Sequence, residues 1–203
     1  MPAQNLAVPH TEFVARSNRH GEVIQGLSQV EARLQKLLAE LVMLRLFDEF
    51  QEAISGVALR LACGTPYVDG TAPALLTAPA RSTPGARHLY ETFGRPRPVK
   101  LRWSKTTFIN DATKYVLDSS NAFSAVCSAN ALTISEMQAI RNRVAHSNVK
   151  SRAAFSLVVQ RRYGATLNHV SPGMLLISTR FSPTLLEEYL GACRTIMKGC
   201  AKA

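Results

Sequence analysis

The chain has 203 residues, 46% of them hydrophobic and 19% charged, which suits one domain with a sizeable core and excludes a disordered acidic chain or a highly charged coiled coil. Lys and Arg number 24 against 14 Asp and Glu, a formal net charge of +10. That balance favours polyanionic partners such as nucleic acid, through phosphate neutralisation and counterion release.

The first residues, MPAQNLAVPHTEFVARSNRH, lack the continuous apolar core of a signal peptide and read as a polar N-terminal arm over about residues 1–20. Ser28-Gln-Val-Glu31 has the form of a capping box and predicts a helix start. Apolar residues then recur at Val30, Leu34, Leu37, Leu41, Leu44, Phe47, Phe50, Ile54, Val57 and Leu61, spacings of three and four that predict a continuous stripe along one long helix. Gly64 and Pro66 end it.

Six prolines (Pro66, Pro73, Pro79, Pro84, Pro96, Pro98) and Gly64, Gly70, Gly85 and Gly94 follow. They predict an extended surface excursion, a loop insertion over about residues 65–103, in place of a long regular element. At its far end Arg95, Arg97, Lys100 and Arg102 are interleaved with Trp103, the chain's one tryptophan. Such a segment could lie along an RNA backbone with a base stacked on the indole, but the favoured reading is a solvated basic loop that Trp103 anchors to the core.

Helical spacing resumes after Ser104 with Phe108, Ala112, Tyr115 and Val116, and a polar connection runs through residues 118–121. Thr133-Ile-Ser-Glu136 forms a second capping box ahead of Ile134, Met137, Ile140 and Val144, predicting a helix that frays near Ser147-Asn148. A helix over residues 151–163 stopped by Gly164, an irregular stretch over 168–179 around Pro172-Gly173, and a last helix opened by Ser182-Pro183 complete the reading. The expected fold is mainly α, a helical bundle of four or five helices forming a single domain over 1–203, with a long Pro-rich loop excursion.

No apolar run reaches the roughly 20 residues that cross a bilayer, so a soluble, cytoplasmic chain without a membrane partner is expected. Cys63, Cys127, Cys193 and Cys200 show no CxxC pair and no histidine at metal-ligand spacing, and read as thiols.

The segment QAIRNRVAHSN, residues 138–148, carries the candidate chemistry. A histidine, with an ordinary pKa near ~6.5, can take a proton from a ribose 2′-OH or give one to a leaving oxygen. An arginine can hold a phosphate through two parallel hydrogen bonds and stabilise the charge of a phosphorane-like transition state. Such cleavage of RNA requires no metal or other cofactor. Arg141 and His146 lie five residues apart, about 140° around a helix. They converge only if the last turn unwinds or two copies of the helix pool their side chains across a symmetric dimer.

Asn142 is a phosphate or base contact in this scheme. The bland alternative is ordinary capping, an arginine and a histidine at a helix C-terminus. Arg143 belongs on a solvated face. Asp48, Glu49 and Glu52 suit either the orientation of a catalytic base or plain surface charge, while His10, His20, His88 and His169 are weaker candidates. No Gly-rich phosphate loop, nucleophile elbow, zinc-helix motif or helix-turn-helix is found.

Arg141-Asn-Arg-Val-Ala-His146 resembles the RxxxxH motif of the HEPN superfamily, including the polar residue directly after the arginine. The setting is similar too: a long early helix, a variable excursion, the motif late in the chain and closing helices, over roughly Ser28–Lys202. It looks most like the RiboL-PSP-HEPN type of prokaryotic conflict and defence systems. The resemblance implies a metal-independent endoribonuclease acting as a homodimer, with Arg141 and His146 of both subunits around one cleft. It would leave a 2′,3′-cyclic phosphate and a 5′-hydroxyl, as a toxin or antiviral effector with an antitoxin or defence-system partner. The competing readings are a non-catalytic helical module that binds RNA or nucleotides, and a dimeric interaction protein.

Overall fold

The structure, a computed structural model, describes residues 6–202; the first five positions of the expected arm lie outside them. Among the described residues the chain is mainly α-helical, with nine helices. These are α1 (Ala7–Gly26), α2 (Ala32–Ala62), α3 (Thr83–Thr92), α4 (Thr106–Thr113), α5 (Ala122–Ala129), α6 (Ala131–Ala145), α7 (Val149–Tyr163), α8 (Pro172–Leu176) and α9 (Leu185–Ala201). A single-turn 3-10 helix at Leu27–Gln29 and an isolated antiparallel bridge between Leu75 and Leu117 complete the inventory.

Nine helices overturn the expected bundle of four or five, and the additions have local causes. Helix α1 occupies most of the expected polar arm because Phe13 and Leu27, buried at its middle and just past its end, supply apolar anchors among polar neighbours. Helix α3 forms inside the Pro-rich stretch: Ser82 Oγ accepts the Gly85 N–H at 3.2 Å and Pro84 stands in the first turn, where its missing N–H costs nothing. Helix α8 repeats that grammar in the stretch expected to be irregular, with Ser171 Oγ accepting the Met174 N–H at 3.2 Å ahead of Pro172. Asn130 (φ −103°, ψ 17°) breaks α5 from α6.

Neither expected capping box forms. Ser28 lies in the 3-10 turn and α2 begins after Glu31, whose carbonyl accepts the Gln35 N–H at 2.9 Å. Thr133 lies inside α6, which starts two residues earlier, and Glu136 is buried. The box that does form is Thr184-Leu-Leu-Glu187 at the start of α9: Glu187 Oε2 accepts the Thr184 N–H at 2.8 Å and Thr184 Oγ1 accepts the Glu187 N–H at 3.4 Å. The helix therefore opens just after Ser182-Pro183.

The α2 stripe divides into two. Phe47, Phe50, Ile54, Val57 and Leu61 are fully buried, whereas Leu34, Leu37 and Leu41 are exposed at 44%, 56% and 52%. The cause is three consecutive three-residue steps, Leu41 to Leu44 to Phe47 to Phe50. Each falls about 60° short of a full turn, so together they carry the pattern to the opposite face.

The chain forms two compact units. The first comprises the described residues of Met1–Val14, with Phe50–Ala131 and the described residues of Arg194–Ala203. In it Phe13 meets Phe50 edge to face at 6.3 Å, and buried Tyr90 donates its hydroxyl to the Ala58 carbonyl at 2.7 Å. The Pro-rich stretch is pinned by Asn121, which accepts from Tyr67 Oη at 3.1 Å and donates to the carbonyls of Ala74 and Asp118 at 2.7 and 2.8 Å. It is tied backbone to side chain, so it does not wander as a free loop.

The second unit comprises Ala15–Glu49 and Leu132–Cys193. Met43 and Leu46 of α2, Ile134, Met137 and Ile140 of α6, Phe155, Val158 and Val159 of α7, and Leu185, Leu186 and Tyr189 of α9 are all buried. Amid them sits the buried carboxylate of Glu136. It accepts from Arg161 Nη1 (2.9 Å), Arg162 Nε and Nη2 (3.0 and 2.6 Å) and Tyr189 Oη (3.1 Å), so α6, α7 and α9 are clamped on one charge. Gly173 lets α8 lie directly on α2: a Cβ there would fall 2.5 Å from the Lys36 carbonyl oxygen.

Candidate functional site at the end of helix α6

Helix α6 carries the motif residues, and its orientation follows from its inner face. Ile134, Met137 and Ile140 bury apolar surface while Glu136 is gripped by α7 and α9. Arg141, the next position after Ile140, turns onto α2. Its Nε and Nη2 donate to Asp48 Oδ1 at 3.2 and 3.0 Å, and its Nη1 reaches Asn142 Oδ1 at 3.5 Å. The pair is open to solvent, with side-chain exposures of 27% and 49%, so the guanidinium is oriented and still reachable. Of its five N–H donors, two remain for a ligand.

His146 stands one residue beyond α6. Its N–H still completes a helical bond to the Asn142 carbonyl at 2.9 Å, and its own carbonyl accepts from Ser151 Oγ at 2.7 Å and Arg143 Nη1 at 3.5 Å. The backbone is therefore fixed on both sides while the residue is exposed. Because the helical bond reaches His146 itself, the last turn does not unwind, and Arg141 and His146 keep the angular separation of a regular helix. Asn148 then restarts the chain as α7, its Oδ1 accepting the Ser151 N–H at 2.8 Å.

The carboxylates near the middle of α2 divide their work. Asp48 holds Arg141, and Glu49 Oε2 meets His20 Nε2 at 3.0 Å; neither meets His146. His10 lies near Lys198 and Lys202. Burial, then those two cations, hold its pKa below the ordinary 6.5.

The basic stretch of the first unit sorts into structural and free cations. Arg95 is built into the fold: its side chain is 6% exposed and donates to the carbonyls of Tyr90 (3.0 Å) and Asp111, with Asp111 Oδ2 at 3.4 Å. Trp103 packs edge-on against Tyr90 at 6.1 Å, the anchoring role. Arg97, Lys100 and Arg102 are exposed and line a groove of about 400 Å³ with Phe108, over whose ring Arg102 lies at 5.3 Å.

Sequence reasoning missed three elements of the second unit. From spacing alone Glu136 reads as a helix cap and Arg143 as part of a solvated face, while Arg152 is given no role. Arg143 and Arg152 instead line a pocket of about 210 Å³ with Phe155 and Asn168. The available signal was the cation density just after the Asn148 cap, Lys150 and Arg152. Among the described residues no three His, Cys, Asp or Glu side chains gather as a metal site, and no helix is long and apolar enough to cross a membrane. No protein-family model, curated protein or solved structure matches the chain.

Proposed function

We propose that this chain is an endoribonuclease of the HEPN kind, cutting RNA by attack of the ribose 2′-oxygen and working as a homodimer. The observation that carries the reading is the pairing at the end of α6: an arginine held in place by Asp48, and an exposed histidine on a fixed backbone. In the reaction His146 of one copy takes the 2′-OH proton, the 2′-oxygen bonds to phosphorus, and the bond from phosphorus to the 5′-oxygen breaks. His146 of the other copy protonates that 5′-oxygen. Arg141 stabilises the added negative charge as the 2′-oxygen bonds to phosphorus. The products are a 2′,3′-cyclic phosphate and a 5′-hydroxyl. Such an activity suits a toxin or antiviral effector restrained by an antitoxin or defence-system partner.

The reading takes two copies because α6 stays helical through the His146 bond, which puts Arg141 and His146 of one chain on different faces. The exposed Leu34, Leu37 and Leu41 offer the surface for pairing. Leu34, Leu41 and Asp48 follow one another at seven residues, about 20° short of two full turns, so this apolar face of α2 runs directly to the carboxylate that holds Arg141. Exposed leucines in such a row favour burial against a second copy.

The test is incubation of the purified protein and its His146→Ala variant with total cellular RNA in EDTA, with end-group mapping of the fragments. Cyclic-phosphate ends from the parent alone are expected; equal cleavage by the variant removes His146 from the mechanism. A second reading, a non-catalytic RNA-binding module, draws on the open groove of Arg97, Lys100, Arg102 and Phe108. It predicts salt-sensitive RNA binding that His146→Ala leaves intact, with no product from either protein.

A further inference from the structure

The α6–α7 corner holds a cavity whose chemistry differs from that of the Arg141 site. Arg143 and Arg152 border it on the two helices, Phe155 and Val159 form its apolar wall on α7, and Leu167, Asn168 and Val170 close it from the following segment. At about 210 Å³ it is smaller than the roughly 300–1,000 Å³ of drug-sized sites, a size for one phosphate with part of its nucleoside. Arg143 is half-buried, and its Nη1 is tethered to the His146 carbonyl at 3.5 Å. One cation of the cavity is thus fixed to the backbone of the residue that bears the imidazole.

The charge pattern is the second observation. Arg141, Arg161 and Arg162 are each bound to a carboxylate. Among the described residues neither Arg143 nor Arg152 meets one, although both line the same half-open pocket, Arg143 half-buried and Arg152 exposed. Two unneutralised guanidiniums converging on a cavity with an aromatic wall form a site for an anion, and planar bidentate donors match a phosphodiester. Asn168 at the rim supplies an amide for a base or sugar edge.

We propose that this cavity is a phosphate subsite for single-stranded RNA, holding the phosphodiester of a nucleotide next to the one cut at His146. The proposal rests on the ribonuclease reading for its position along the strand, and on the arginine pair alone for its binding of phosphate. It assigns Arg143 and Arg152 to substrate binding and leaves the proton transfers to His146.

The experiment uses full-length protein carrying His146→Ala and a fluorescein-labelled, 2′-O-methylated RNA decamer of mixed sequence, with anisotropy read across a salt series. Arg143→Gln and Arg152→Gln are each expected to weaken binding about tenfold, equivalent to ~1.4 kcal/mol, and to flatten the slope of log K against log salt by about 0.7. Arg143→Lys and Arg152→Lys, which keep the charge without the fork, should fall between. Lys150→Gln, an exposed neighbour that does not line the cavity, should retain most of the affinity. Equal affinity and slope in parent, arginine variants and Lys150→Gln overturn the proposal, as does failure of the parent to bind at low salt.

Cleavage assays on the same substitutions in the His146 background separate the two ideas. Arginine-dependent binding without cleavage by any protein sinks the nuclease reading and keeps the subsite. Cleavage by the parent with KM unchanged in both arginine variants does the reverse.

Discussion

Replacing Glu136 by Gln tests whether the buried charge on α6 organises the second unit. The carboxylate is 2% exposed and accepts four hydrogen bonds, two of them from Arg162 at 2.6 and 3.0 Å. Gln keeps the shape but removes the charge and turns one acceptor into a donor facing guanidinium N–H groups. Breaking a buried pair by altering one partner costs about 3–5 kcal/mol. Arg162 retains Glu188, at 2.8 and 3.1 Å, which sets the expectation at the lower end, ~3 kcal/mol. For a chain of this length that lowers Tm by about 6–12 °C, measured by far-ultraviolet circular dichroism on parent and variant under the same conditions. A fall of less than about 2 °C would refute the claim that this charge clamps α6, α7 and α9. Arg141 and His146 sit on the helix so held, so the variant should also lose RNA cleavage below its own Tm.

Gly173→Ala pushes a Cβ against the Lys36 carbonyl, a backbone atom that cannot swing aside. The expected loss is about 1–3 kcal/mol, read as a lower urea midpoint. Leu37→Glu with Leu41→Glu should leave the helix content unchanged, since both side chains are exposed, and should convert a dimer to a monomer in light scattering. Persistence of the dimer would remove the α2 face from the interface. His10 gives a pH signature: its folded pKa is below 6.5, so as pH falls the unfolded chain takes up the proton first. Its contribution is complete above about 6.5 and is lost as pH falls through the folded value, so His10→Gln should flatten the decline of Tm on the acid side. Asp48→Asn should tighten RNA binding, by removing a negative charge beside Arg141, while lowering kcat about tenfold (~1.4 kcal/mol) by releasing the guanidinium; unchanged kcat would deny Asp48 a positioning role.

What the sequence made legible was what neighbours within a turn decide. Gly164, with φ +72°, ends α7 as expected, and α4 covers Phe108 and Ala112 but stops at Thr113, short of the expected Tyr115 and Val116. The errors have the same root seen from the other side. Serine followed by proline opens α8 as well as preceding α9, but the expectation places a helix only at Ser182-Pro183. Proline density in residues 65–103 argued against helix, although one proline in a first turn is compatible with α3. On α2 spacings of three and four looked alike, yet three successive threes turn the pattern through half a circle. Counting angles rather than intervals would have separated the exposed leucines from the core.

The site divides along the same line. Arg141, Asn142 and His146 stand out because they lie on one short segment. Their partners do not, because Asp48 is 93 residues from Arg141, and Glu136 is 25 and 53 residues from Arg161 and Tyr189. Those distant partners decide what each arginine can do. Arg141, already neutralised in part by Asp48, is a weak holder of a resting phosphate but is oriented for charge that develops later. Arg143 and Arg152 have no such partner among the described residues and suit ground-state binding. In the proposed enzyme the first arginine lowers the barrier and the second pair holds the strand. Interactions made only in the transition state raise kcat, while uniform ones lower KM. Substitutions at Asp48 and Arg141 should therefore register mainly in kcat, and those at Arg143 and Arg152 mainly in KM.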